Sequence, residues 1–290
     1  MNEKIRWPKS PSMKQYFSLS PLLIYYIAKN PSTPKCYNKL IQTCKYFFEK
    51  LPLLTVRYAE DEIICTNEID ECWNNFQKCC VKTDITKVFS QIWLTEFVTF
   101  CYKDINLASK FCSKVFRCEI DEILLVKNMT FEDFKFLASN AKKFDLYDFQ
   151  IIRKNGNLVL LDSILEVVPN VEEFFITFNP DIFVVTAFTL KKIANLQNLK
   201  TLAFYYIPDI FNVDDLSSFI LGHKDIHIYI SFDSDISVEY GNQLDRLIDD
   251  IIKNDCHCMI EYYGQDEEKL TSMKKHIDAL SDESLSDEDE

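Results

Sequence analysis

Glycine is scarce in this chain, with four in 290 residues, at positions 156, 222, 241 and 264. Four scattered glycines cannot build the loop that cradles a phosphate, and no Gly-x-Ser-x-Gly run exists to form a nucleophile elbow. Eleven cysteines are present, yet no two stand in Cys-x-x-Cys spacing, the usual nucleus of a zinc site. Long apolar runs are missing too: 123–126 and 182–185 fall far short of the roughly 20 residues that cross a bilayer. These absences argue against an enzyme, a metal protein and a membrane protein, so we expect no catalytic residue, no metal and no cofactor.

Two groups could still suggest a metal. Cys256, His257 and Cys258 are adjacent, with Cys72, Cys79 and Cys80 elsewhere, but neighbours on a strand point to opposite faces and reduced cysteine serves as a small core residue. His223 and His227 are four apart, but "LGHKDIHIYI" reads as a turn entering a strand rather than a helix. Asp249 and Asp250 read as surface residues of a helix. With no apolar signal segment at the start, "MNEKIRWPKS", the cysteines lead us to expect a reducing compartment, cytoplasm or nucleus, rather than a disulfide framework.

What the chain does have is apolar mass, 47% hydrophobic and 14% aromatic, enough for a folded core. Its charge is divided. Residues 1–50 hold nine Lys and Arg against two acids, a net +7 that leaves −20 for the rest of a chain whose total is −13. An acidic body disfavours phosphate backbones, so nucleic acid is not expected as a partner. The basic N-terminal segment suits an acidic protein.

Organisation follows from periodicity. In "SPLLIYYIAKNPSTPKCYNKLIQTCKYFFEK", residues 20–50, Ser20 can cap a helix with Pro21 in its first turn, and "NPSTP" ends that helix at Asn30. A second helix is expected through Tyr37, Leu40, Ile41, Cys44, Phe47 and Phe48. Residues 51–118 read as a connector of mixed helix and short strands: two strands around an acidic turn in "LLTVRYAEDEIICT", a helix carrying Cys72, Phe76, Cys79 and Cys80, and one or two helices in "DITKVFSQIWLTEFVTFCYKDIN".

From residue 119 short apolar strands alternate with amphipathic segments. "IDEILLVKN" and "VEEFFITFN" share one pattern, "AKKFDLYDF" and "LKTLAFYYI" keep its apolar positions, and "HKDIHIYIS" follows more loosely. Their starts, 120, 141, 171, 199 and 223, lie 21, 30, 28 and 24 residues apart, which suits leucine-rich repeats. Helices are expected at 130–139, 157–168, 189–196, 213–221 and 238–253, and a last strand within 257–263. Strand and helix in alternation imply an α/β fold with parallel strands and outer helices. For 119–263 we expect an irregular leucine-rich-repeat-like solenoid, and for 264–290 an exposed helix to about Ala279 and a disordered acidic tail, "SDESLSDEDE". Ser284 and Ser286 each precede an acid by three residues and are phosphorylation candidates.

The N-terminal segment, 16–50, resembles an F-box, and the chain resembles the divergent F-box-like proteins, expanded in roundworms, that join such a helical module to leucine-rich-like repeats. Leu19, Pro21, Leu23, Ile24 and Ile27 correspond to the family's Leu-Pro start and Leu-Leu-x-x-Ile helix. "TCKYF" resembles its later Val-Cys-Lys-x-Trp segment, so Cys44, Lys45 and Phe47 carry over, and Leu40 belongs to the same apolar surface. In this chain Pro21 stands one place late, Leu22 replaces an acidic residue, Thr43 a valine and Phe47 the tryptophan. The resemblance implies a protein-interaction adaptor, a substrate-recognition subunit of a cullin-RING ubiquitin ligase. Its N-terminal residues would dock the Skp-type linker and its repeats an unidentified protein substrate. From strand alternation we expect Glu122, Lys127, Glu173, Thr177, Tyr205 and His227 on the substrate face. The alternative is a stand-alone leucine-rich-repeat-like scaffold whose N-terminal hairpin is only a structural cap.

Overall fold

The computed structural model describes residues 16–66, 80–101, 105–126, 128–179, 185–186, 188–233 and 236–286, with Ile105 and 281–286 by backbone alone. Among them the chain is mixed α/β, built on a large, mostly parallel sheet. Lys127 and the expected helix with Cys72, Phe76 and Cys79 lie outside the described residues.

The chain opens with three helices, α1 (Pro21–Lys29), α2 (Pro34–Thr43) and α3 (Lys45–Lys50). Local sequence sets their starts. Ser20 Oγ accepts from Leu23 N–H at 3.3 Å and Thr33 Oγ1 from Cys36 N–H at 3.0 Å, each followed by proline at the first helical position. The single second helix expected through Phe48 is divided at Cys44, which is extended (φ −155°, ψ 124°). The division lets one segment serve two surfaces: Tyr37 packs with Leu51, Leu53 and Trp93, while Phe47 packs with Ile24 and Ala28.

Strands β1 (Leu53–Glu60), β2 (Ile63–Cys65) and β3 (Cys80–Lys82) form an antiparallel meander. Its first turn places Asp61 at φ 49°, a left-handed conformation that aspartate tolerates. Strand β4 (Gln91–Phe100) then crosses the centre, where the sequence led us to expect helix. It is buried on both faces, so its apolar residues run almost without interruption and mask the period of two. Ile92, Leu94, Val98 and Phe100 face the main core, and Trp93 faces the N-terminal helices.

The remaining elements are α4 (Ile105–Cys112), β5 (Val115–Cys118), β6 (Glu122–Leu125), β7 (Met129–Thr130), α5 (Phe131–Ala138), β8 (Lys143–Tyr147), β9 (Ile151–Ile152), α6 (Leu161–Leu165), β10 (Glu173–Thr177), α7 (Thr189–Ile193), β11 (Thr201–Ile207), α8 (Val213–Gly222), β12 (His227–Phe232), α9 (Val238–Lys253), β13 (Cys258–Glu261) and α10 (Glu267–Ser286). The eleven-stranded sheet runs β13-β12-β11-β10-β8-β6-β4-β1-β2-β3, with β5 also on β4; β7 and β9 pair separately. From β1 through β4 to β13 in that order every pairing is parallel, as is that of β5 with β4; β2 and β3 alone pair antiparallel. Each expected strand from 120 onward therefore pairs with the next.

The structure shows no solenoid. The intervening helices run from five residues in α6 and α7 to sixteen in α9, so no common unit is repeated, and the sheet continues into antiparallel strands at one end. At the other end α10 covers the edge: Ile260 N–H reaches Met273 Sδ at 3.4 Å, and Gln265 Nε2 donates to Ile260 O at 3.3 Å. The backbone of α10 continues to Ser286, past Ala279, where we expected an unstructured tail to begin. The 287–290 end of that tail lies outside the described residues.

One face of the sheet holds the core. Ile123, Phe144, Phe174, Leu202, Ile228 and Cys258 form one row and Leu125, Leu146, Ile176, Phe204, Ile230 and Ile260 the next, all buried with the apolar residues of α5 to α9. Each such side chain contributes about 1.5–3 kcal/mol when fully covered.

Register is reinforced by charge in the turns entering the strands. Asp121 and Glu122 are followed on the next strand by Lys142 and Lys143, then by Glu172 and Glu173, then by Lys200. Backbone N–H groups of Lys142 and Lys143 donate to Asp121 O, those of Glu172 and Glu173 to Lys142 O, and those of Lys200 and Thr201 to Glu172 O. The side chains alternate in sign across this ladder, with Glu172 between Lys142 (3.0 Å) and Lys200 (2.6 Å). A slip by one strand would set like charges together.

Candidate functional site

Two surfaces are candidates, both on the side of the sheet away from the main core. The first is the three-helix module, mounted on β1 and β4 by a buried joint. Trp93 is fully buried, with the Tyr37 ring 6.3 Å away and the Arg117 guanidinium 4.3 Å over its face. Its indole N–H donates to Glu119 Oε2 at 2.8 Å, and Arg117 donates to Glu119 and to Pro31 O at 3.1 Å. Tyr37 Oη donates to Leu51 O at 2.6 Å and accepts from Leu53 N–H at 3.0 Å; burial pushes its pKa up. This joint holds α2 against the sheet at a fixed angle.

With α2 held, α1 faces outward. Only Ile24 and Ala28 of α1 are buried, against Phe47. Leu22 is 83% exposed and Tyr26 63%, with Leu19, Leu23 and Tyr25 each near half. The residues that the resemblance assigned to linker docking are thereby split. Leu19, Pro21 and Leu23 are exposed, Ile27, Leu40, Cys44 and Lys45 are half-buried, and Ile24 and Phe47 are core. Leu22, Tyr25 and Tyr26 were not in that set. A signal for them exists: 21–28 is apolar all the way round, and a short helix resting on one neighbour can cover only one side. Along α2, an open groove of about 390 Å³ is lined by Thr33, Lys35, Cys36, Lys39, Leu40 and Thr43.

The second surface is the open face of the sheet beyond the module. Register places Glu122, Lys143, Glu173, Thr201 and His227 in one row and Leu124, Asp145, Phe175, Ala203 and Tyr229 in the next. Lys143 Nζ lies 3.5 Å from Glu122 and 3.7 Å from Glu173. Tyr205 meets Tyr229 at 5.2 Å between ring centres, and Tyr229 Oη donates to Glu261 Oε2 at 2.7 Å. Thus Glu122, Glu173, Thr177 and Tyr205 are half-buried on one face, with His227 exposed at its start. Burial, followed by the neighbouring His257 ring at 4.9 Å, lowers the His227 pKa.

The residues of the metal-like motifs separate as the strand period requires. Cys256 and Cys258 join the core, and His257 stands beside His227. His223 packs on Phe219, its Nδ1 2.8 Å from the Phe219 carbonyl oxygen. Burial pushes the Cys118 thiol up to about 11, so it behaves as a core residue rather than a nucleophile. Among the described residues no group of three or more His, Cys, Asp or Glu gathers as metal ligands, and no helix is long and apolar enough to cross a membrane. Ser284 and Ser286 fall on the last turn of α10.

No protein-family model matches the chain, and no curated protein matches its sequence.

Proposed function

We propose that the protein is a non-enzymatic adaptor. The module of 16–50 docks, as an F-box does, on the Skp-type linker of a cullin-RING ubiquitin ligase in cytoplasm or nucleus, and the open face of the sheet holds a protein substrate. The carrying observation is the exposed apolar face of α1, Leu19, Leu22, Leu23, Tyr25 and Tyr26, on a helix whose other side is anchored through Phe47. Exposed apolar clusters of this kind mark protein interfaces. Lys35 and Lys39 on α2 of the same module would speed encounter with an acidic partner more than they would tighten binding. The succession of parallel strands joined through helical segments supports kinship with leucine-rich units, without their regular solenoid. Chemistry would be by proximity, bringing substrate near a charged ubiquitin carrier.

The cap reading draws on the buried joint at Tyr37 and Trp93, which covers the open face over β1 and β4. A cap alone gives no reason for Leu22 and Tyr26 to stand in solvent. The test is direct binding of the full chain to a purified Skp-type linker, compared with the double variant Leu22→Asp, Tyr26→Asp. Saturable binding that falls about tenfold or more in the variant supports the adaptor. A folded wild type that binds no linker leaves the cap.

A further inference from the structure

We propose that the open face carries a recognition site for an arginine side chain of a partner's basic peptide segment, centred on Asp145 with Phe175 and Tyr205. The inference deepens the adaptor reading by naming the substrate chemistry, and rests on that reading for its biological role.

Asp145 lies mid-strand on the open face, level with Leu124 on one side and Phe175 on the other. Its carboxylate is half-buried, burial raises its pKa, and Lys143 only partly offsets that rise. Lys143 is itself committed to Glu122 and Glu173. A carboxylate removed from water without a full partner is costly, and an incoming cation relieves that cost.

Aromatic side chains lie to one side of this carboxylate, beginning with Phe175 on the adjacent strand. Beyond Phe175 the row passes Ala203, whose side chain is a single methyl and which neighbouring groups cover to 2% exposure. Tyr229 follows, its ring 5.2 Å from that of Tyr205, and Tyr205 senses the Asp145 charge. Tyr229 is turned toward β13, where its hydroxyl donates to Glu261, itself paired with Lys274 at 3.5 Å. A guanidinium is flat, stacks on tyrosine and offers two parallel N–H groups to a carboxylate, so it suits this set better than a compact ammonium does.

The backbone is adapted at the same place. Pairing of β11 with β12 shifts register between Phe204 and Ile207, and Tyr206 within that bulge has φ 57°. A left-handed tyrosine is strained, and bulges of this kind re-aim side chains beside sites. Here the result is a Tyr206 ring 58% exposed at the end of the tyrosine pair, its N–H held by Ser231 Oγ at 3.1 Å. Charge complementarity selects the occupant: Glu122 and Glu173 are paired with Lys143 and Glu261 with Lys274, while Asp145 has no ion pair among the described residues.

The test uses the full chain and fluorescein-labelled ten-residue peptides read by anisotropy: Gly-Ser-Arg-Gly-Ser repeated twice, and its counterpart with citrulline for arginine. The arginine peptide should bind saturably and the citrulline peptide at least about tenfold more weakly. Asp145→Asn and, separately, Tyr205→Leu should each weaken the arginine peptide about tenfold, while Asp250→Asn on α9, which removes the same charge elsewhere, should leave it unchanged. Absence of saturable binding, equal binding of both peptides, or equal losses in Asp145→Asn and Asp250→Asn would overturn the site. Linker binding measured on the same variants should be unaffected, so a failed site and a failed adaptor reading give different patterns.

Discussion

The two faces of the sheet are made from the same strands, one residue out of phase, and they solve different problems. On the covered face Phe144 and Phe174 meet edge to face at 6.0 Å and are fully buried beneath helices. On the open face the next residues along, Asp145 and Phe175, are half-buried and cover each other only from the side. Aromatic content is similar; what differs is the third layer. Where helices complete the layer, an aromatic side chain serves stability, and where none does, it remains available for a partner.

That contrast can be broken from the covered side first. Phe174→Ala should cost about 3–5 kcal/mol, read as a fall in the urea midpoint, because its neighbours cannot collapse into the space. A loss under about 1 kcal/mol would mean the covered face is not the core. At the joint, Tyr37→Phe should cost about 0.5–1.5 kcal/mol by removing the hydroxyl's bonds to Leu51 O and Leu53 N–H, the latter keeping Leu51 O as acceptor. It should also loosen α2, seen as faster amide exchange there.

Open-face changes should be smaller or of opposite sign. The folded pKa of Asp145 is raised above its unfolded value, so the ionised group opposes folding at neutral pH, and that opposition disappears as pH falls through the folded pKa. Asp145→Asn should therefore raise the Tm at neutral pH, with the gain shrinking below the ordinary carboxylate range, while peptide binding is lost. Glu122→Gln with Glu173→Gln removes both partners of Lys143 but should cost only about 0–1 kcal/mol, since both pairs are solvent-screened. Smallest of all, Leu22→Asp with Tyr26→Asp should change stability by no more than about 0.5 kcal/mol. A large loss there would show that α1 packs on more than Phe47.

Much of the fold was legible. The strands near 120, 141, 171, 199, 223 and 257 and helix 238–253 follow from patterns of two and 3.6, and the first helix start from the cap at Ser20. Strand β4 was not, because burial on both faces removes the polar half of the alternation. Nor was the break at Cys44, which exists to point Tyr37 and Phe47 toward different partners. The expected irregular solenoid failed for a related reason: strand spacing counts residues and does not show how many of them the connecting helix uses.

By itself the sequence determined the elements, their order and the split of charge between a basic start and an acidic body, because caps, periodicity and composition act locally. Tertiary structure alone decided which of two apolar sets is offered to solvent. Ile24 and Leu22 look alike in the chain, but Phe47 covers one and leaves the other exposed. Asp145 is one of many acids in the sequence; only the placement of Phe175 and Tyr205 to one side of it, on strands brought in from 30 and 60 residues away, makes its carboxylate distinct. Proximity across strands is a property of the sheet, and the linear chain does not carry it.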